Sequence, residues 1–213
     1  YSYGGYWGGA DRYRGELSEF SLLGIDPTRP ISEADIRSAF DNAKNFRLKR
    51  GSRILLIQSG APFPDEPMVA ALARHFTVGP FSGVPMGGPE DAQPPNLHNA
   101  LRLAAAQGGY EYILTYWGVL ESQERNLGTK AVSWVPIVGY AVPDESQNMR
   151  MRLKMILLDV RTGKWAMLVP EPVSADTVSA RVNREEADQD LVNDLKEKGY
   201  AALVEELVSK HVE

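Results

Sequence analysis

Three histidines, one loop serine and several adjacent carboxylates are the residues of this 213-residue chain that could do chemistry. Histidine titrates near neutral pH and ligates metals, so His75, His98 and His211 come first. None of them stands at an H-E-x-x-H spacing or another metal-ligand spacing. His75 closes one expected helix, where a positive charge favours the dipole. His98 falls in the first turn of another, and His211 lies two residues from the end. Capping or surface roles fit all three. Ser59, in QSGAP, follows an apolar run, a place where α/β hydrolases put a nucleophile, yet the G-x-S-x-G elbow is missing. No phosphate-cradling G-x-x-x-x-G-K-[ST] is present. The carboxylate pairs Asp65–Glu66, Glu90–Asp91, Asp144–Glu145 and Glu185–Glu186 point their members apart, in caps and solvated loops. Nothing in the sequence pairs them with a group that would raise a pKa. The sequence therefore predicts no catalytic, cofactor-binding or metal-binding residue, and no cofactor. A peptidase-type hydrolase using Ser59 or an acidic cluster is the alternative.

Composition narrows the classes further. The chain has no cysteine, which removes disulfides, thiol catalysis and thiolate-bound zinc. A net charge of −5 argues against sequence-independent binding to nucleic acid. No apolar window reaches the length of a membrane-spanning helix. The first residue is Tyr1, as a processed or trimmed chain would show, and a cut just after a lipid-bearing cysteine would give this start. Residues 1–30 read as a flexible Gly/aromatic tether and irregular lead-in. Tyr1, Tyr3, Tyr6 and Trp7 suit either a tether or a membrane interface. Residues 31–213 read as one domain.

The elements that would position these residues follow from periodicity. Ser32 to Asp35 (SEAD) is a capping signature, with Ile36, Phe40, Ala43 and Phe46 at helical spacing and an end near Arg50-Gly51. Arg53–Gln58 is a strand buried on both faces. Asp65 caps a helix with Pro67 in its first turn, Thr77–Phe81 is a short edge strand, and Asn96 caps a helix ending at Gly108. Tyr110–Glu121 is a long strand, and a polar connection runs from Gln123 to Lys130. In Met149–Val160 the odd positions are apolar throughout. The even ones change from Arg150, Arg152 and Lys154 to Ile156 and Leu158, so one face is half wet. A turn at Arg161–Lys164 returns the chain antiparallel through Trp165–Val169. Arg184–Val212 is helical, with Gly199 expected to bend or split it. The fold class is α/β (α+β mixed): a four- to five-stranded mixed sheet with helices packed on it.

One segment resists this scheme. In AVSWVPIVGYAVPDE, Trp134, Val135, Ile137, Val138, Tyr140 and Val142 crowd together, while Pro136, Gly139 and Pro143 break any regular element. Residues 131–143 are either a loop or edge arm folded over the core, or an exposed apolar arm that meets a partner chain or a bilayer.

GGYEYILTYWGVLES followed by MRMRLKMILLDVRTGKW resembles the core of envelope lipoproteins related to the curli secretion channel CsgG and to LpoB, activator of a peptidoglycan synthase. Both are similar in fold to the N-terminal domain of TolB. The whole chain resembles proteobacterial outer-membrane lipoproteins sometimes labelled aminopeptidases. The resemblance implies a TolB-N-terminal-like fold, a lipidated cysteine directly before Tyr1, and periplasmic localisation at the outer membrane. It also implies a partner that is another envelope protein or a second copy. The prolines of 121–148 and the lack of sustained alternation do not fit the pore-forming segments of the CsgG type. The expectation is a non-enzymatic binding or assembly module.

Overall fold

The computed structural model describes residues 15–43, 47–85, 96–124, 128–133, 149–174 and 186–213. Within them the chain runs α1 (Glu19–Leu23), α2 (Glu33–Asn42), β1 (Arg53–Gln58), α3 (Glu66–Ala73), β2 (Thr77–Phe81), α4 (Leu97–Gln107) and β3 (Tyr112–Glu124). It continues through β4 (Gly128–Ser133), β5 (Met149–Asp159), β6 (Trp165–Leu168), β7 (Val173–Ser174) and α5 (Glu186–His211).

The spine of the mixed sheet is an antiparallel ribbon, β3 on β5, in register from Tyr112↔Asp159 to Ser122↔Met149. The far edge of β3 is shared. Its first half takes β1 in parallel, and its second half takes β4 in an antiparallel hairpin. β5 divides its outer edge in the same way, with β6 against Met155–Leu158 and β7 against Arg150–Met151. β2 closes the other side, parallel to β1. Among the described residues the sheet has seven strands, in the order β2-β1-β3-β5-β6 with β4 and β7 beside it, against the four or five expected. The extra pairs come from the expected polar connection, whose ends form the β3–β4 hairpin, and from the two-residue β7.

Period-two alternation loads both faces. Ile54 and Leu56 of β1, Leu114, Tyr116 and Leu120 of β3, and every odd residue from Met149 to Leu157 pack under α3 and α5. Leu55, Ile57, Ile113, Trp117, Ile156 and Leu158 pack on the opposite face under α1 and α4. The switch in β5 from charged to apolar even residues falls where this second layer begins, as its sequence pattern requires.

Three local expectations are corrected. The stretch Glu16–Pro30, expected to be irregular, contains α1, because Leu17 and Leu22 are drawn into the second core. The helix expected to run to Arg50-Gly51 ends at Asn42. Leu48 instead pairs with Val212 in an isolated bridge, which demands extended backbone there. Gly199 does not split α5, which is continuous for 26 residues. Its missing side chain lets the helix approach the sheet, since a Cβ would stand 2.2 Å from Met151 Cε and 3.1 Å from Leu153 Cδ1.

Candidate functional site

The carboxyl ends of β1 and β2 lie side by side, next to Tyr116 in the middle of β3. The chain leaves β1 for α3 on one face and β2 for α4 on the other. This divergence is where open α/β sheets place ligands. Gln58 ends β1 here, Ser59 and Asp65 follow it, Tyr116 comes from β3, and Lys196 and Tyr200 come from α5.

A hydrogen-bonded network fills the position. Gln58 Oε1 accepts from the Asp65 backbone N–H at 2.7 Å and from the Tyr116 hydroxyl at 2.7 Å. The Tyr200 hydroxyl donates to Asp65 Oδ2 at 2.6 Å, and Lys196 Nζ lies 3.0 Å from the same oxygen. The two tyrosine rings meet edge-on, 5.6 Å apart. Burial first, and then the Asp65 charge, push the Tyr116 phenol far above its usual range. Burial, then Tyr116 and Asp65, do the same to Tyr200. Both phenols are therefore fixed as neutral donors rather than bases. Asp65 stands at the N-cap position of α3 but makes no side-chain cap bond, because its carboxylate is committed to α5. Two loops seal the crevice: Gly60 donates to the Gly83 carbonyl and Gly83 to that of Ala61. A Cβ on Gly83 would lie 1.8 Å from the Gln58 carbonyl oxygen, so only glycine fits. Gln58 Nε2, Thr115 Oγ1 and His75 Nδ1 are buried without a hydrogen bond among the described residues.

The other candidates lie apart from this position or are tied down within it. Ser59 is buried, and its Oγ accepts from the Leu17 backbone N–H at 2.8 Å, fastening the lead-in to β1. His98 fastens α1 to α4. Its Nδ1 pairs with the Leu22 carbonyl at 2.9 Å, so Nδ1 carries the proton and Nε2 faces Arg102 at 3.4 Å. His75 follows α3 beside Phe76, and the His211 carbonyl accepts from Leu48. Among the described residues no three His, Asp, Glu or Cys side chains are grouped to hold a metal ion. Glu90–Asp91, Asp144–Glu145 and Glu185 lie outside the described residues, as do Trp134, Val135, Ile137, Val138, Tyr140 and Val142. Of the expected arm, residues 131–133 form the end of β4.

A second polar constellation occupies the half-wet face of the ribbon. Glu121 is buried and receives Arg150 Nε and, at 3.2 Å, Arg152 Nη1. Removal from water works to raise its pKa, and the two arginines outweigh this, so the carboxyl titrates below its ordinary range. Lys154 pairs with Glu19 of α1 and lies 5.1 Å over the Trp117 ring, whose Nε1 donates to the Leu17 carbonyl. Glu16 beside it is shifted the other way, upward by burial against the pull of Lys154. The alternating arginines foretold a wet face, but their shared acceptor on the neighbouring strand is set only by the register Glu121↔Arg150.

The remaining surface is open and lightly functionalised. A shallow groove of about 640 Å³ runs between α3 and α5, floored by Ala70, Ala71 and Ala201. Helix α2 has a complete capping box between Ser32 and Asp35, yet Ile36 and Phe40 are 52% and 74% exposed.

The model of the YafT bacterial lipoprotein family matches residues 18–210, nearly the whole described fold. The chain belongs to this family. Membership makes the protein a lipoprotein, a lipid-anchored component of the bacterial envelope. It fits the described residues, in which no helix is long and apolar enough to cross a membrane. No curated protein and no solved structure matches the chain.

Proposed function

We propose that this YafT-family lipoprotein is a non-enzymatic binding or assembly module, held in the periplasm at the outer membrane by a lipid on a cysteine preceding Tyr1. Its partner is another envelope protein or a second copy, met through residues 131–143. The observation that carries this reading is the position of β4. Among the described residues it pairs only with β3, beyond the end of β1, and it leads directly into the apolar arm. An edge strand with one free row of N–H and C=O groups is a ready acceptor for an added strand, and the apolar side chains that follow would supply selectivity. The geometry at the end of β1 supports the same reading, since its tyrosines, Asp65 and Ser59 are engaged in bonds that hold the fold.

The test is photo-crosslinking in living cells. A benzoylphenylalanine at Trp134 or Tyr140 should give one discrete adduct that a probe at Lys164, in the β5–β6 turn, does not. Adducts of equal yield from all three positions, or steady peptide-bond hydrolysis by the purified chain that Ser59→Ala abolishes, would overturn the proposal.

A further inference from the structure

Exposed large apolar side chains gather early in the chain. Phe20, Ile25, Ile31, Ile36 and Phe40 are all exposed, from 36% for Ile25 to 74% for Phe40. The last three belong to α2 and its lead-in. Ile36 and Phe40 lie one turn apart on one stripe, and Ile31 occupies the residue before the N-cap, from which a hydrophobic staple reaches the fourth helical position, here Ile36. Every described residue of α2 is exposed. A ten-residue helix with no packed face is marginal in water, even when well capped. This one has the start signal of a helix and an apolar stripe, but no covering layer among the described residues.

Area, charge and anchoring together select what covers it. Three side chains supply at most about 500 Å². A stable protein–protein interface needs roughly 800 Å² from each partner. The helix carries Glu33, Asp35 and Asp41 against Arg37, a net charge of −2. Two copies of it would repel each other, and so would an anionic lipid surface. The chain is a lipoprotein, so a bilayer is already its neighbour. For a tethered chain the encounter is intramolecular, at an effective concentration of the order of millimolar, and a small apolar contact is then enough.

We infer that α2 is an interfacial helix, laying Ile31, Ile36 and Phe40 into the headgroup boundary of an uncharged lipid surface and setting the orientation of the anchored domain. The inference rests on lipid anchoring, the part of the proposed function that family membership already supports, and not on the arm.

The chain has no cysteine, so a single one can be placed and labelled. Phe40→Cys carries an environment-sensitive nitrobenzoxadiazole. Ala34→Cys, on the opposite side of the helix, carries the same label as control. The protein is tethered by an N-terminal histidine tag to phosphatidylcholine vesicles containing nickel-chelating lipid and doxyl-labelled lipid, so native lipidation is not required. The expected result is quenching at position 40 and little at position 34. Ile36→Asp should reduce quenching at 40 about tenfold or more. Replacing a third of the lipid by phosphatidylglycerol should weaken it. A label at 40 that stays as water-exposed as that at 34 on the tethered protein would overturn the inference and leave a protein as the occupant. Stronger quenching on anionic lipid would also overturn it. Flotation of the natively lipidated protein with vesicles separately decides whether the anchoring is real.

Discussion

Replacing Asp65 by alanine should cost about 2–5 kcal/mol of stability, more than the loss of a helix cap. The Tyr200 hydroxyl, 1% exposed with its residue, loses its acceptor 2.6 Å away, and an orphaned buried donor costs roughly 1–3 kcal/mol. Lys196 Nζ loses its carboxylate 3.0 Å away. Both side chains of that pair are about one-sixth exposed, so a charge-assisted bond of roughly 1.5–3 kcal/mol is discounted by solvent to about 1–2 kcal/mol. Asparagine separates the two possible roles. As an N-cap, asparagine equals aspartate, and Asp65→Asn would be neutral with Asp65→Ala near 1 kcal/mol. In the network, Asp65→Asn keeps an acceptor for Tyr200 but removes the charge facing Lys196, and should cost about 1–2 kcal/mol. Urea unfolding followed by circular dichroism measures all three proteins. A cycle with Tyr200→Phe should show coupling of at least about 0.5 kcal/mol. A neutral Asp65→Asn together with strict additivity would refute the reasoning and return Asp65 to a simple cap.

Three further outcomes follow from other residues. Gly199→Leu should lower stability by about 2 kcal/mol through overpacking against β5, and Met151→Ala in the same chain should recover part of it, as read by thermal unfolding. Ser32→Ala removes the cap of a solvent-exposed helix, so amide exchange should quicken across residues 33–42 while the global melt stays in place. Glu16→Gln and Glu121→Gln should have opposite signs at neutral pH. The Glu16 pKa is raised on folding, so its charge opposes the fold once pH rises past the ordinary value of 4.5 and through the folded value. Glu16→Gln should therefore stabilise at pH 7, with the gain vanishing on acidification. The Glu121 pKa is lowered, so its contribution is present above 4.5 and is lost as pH falls through the folded value, and Glu121→Gln should destabilise at pH 7 and converge with the parent in acid. Denaturant midpoints across pH 3–7 test both.

The elements that could be read from the sequence were those whose pattern and packing agree. The even–odd change along Met149–Val160 marks where the second helical layer begins, because burial on the other face alone decides whether an arginine or an isoleucine is tolerated. The limits of β1, β2 and α4 follow from apolar runs punctuated by Gly and Pro. Other features depend on partners remote in sequence, which local pattern does not report. Leu48 leaves the α2 pattern because Val212 pairs with it. Gly199 looked like a breaker because propensity speaks only of the helix itself, whereas its role is set by Met151 across the layer. For the same reason Asp65 reads as a cap, although the side chain that claims it lies on α5. Glu121 gave no warning of its two arginines, since only strand register brings them together. The histidines and Ser59 offered no catalytic spacing, and the structure places His98 and Ser59 as fasteners of α1 and the lead-in.

The layer under α3 and α5 is closed by a helix far in sequence from the strands it covers. Helix α5 supplies Leu195, Tyr200, Leu203, Val204 and Leu207 to that core. Beyond it, Leu48 donates to the His211 carbonyl at 2.7 Å and accepts from the Glu213 amide at 3.0 Å. Without those residues α3 alone would cover that face among the described helices, and Leu48 would lose its two backbone partners. Closing this layer therefore depends on contacts between residues far apart in sequence, and a chain cut before α5 should be prone to degradation rather than form a smaller stable domain.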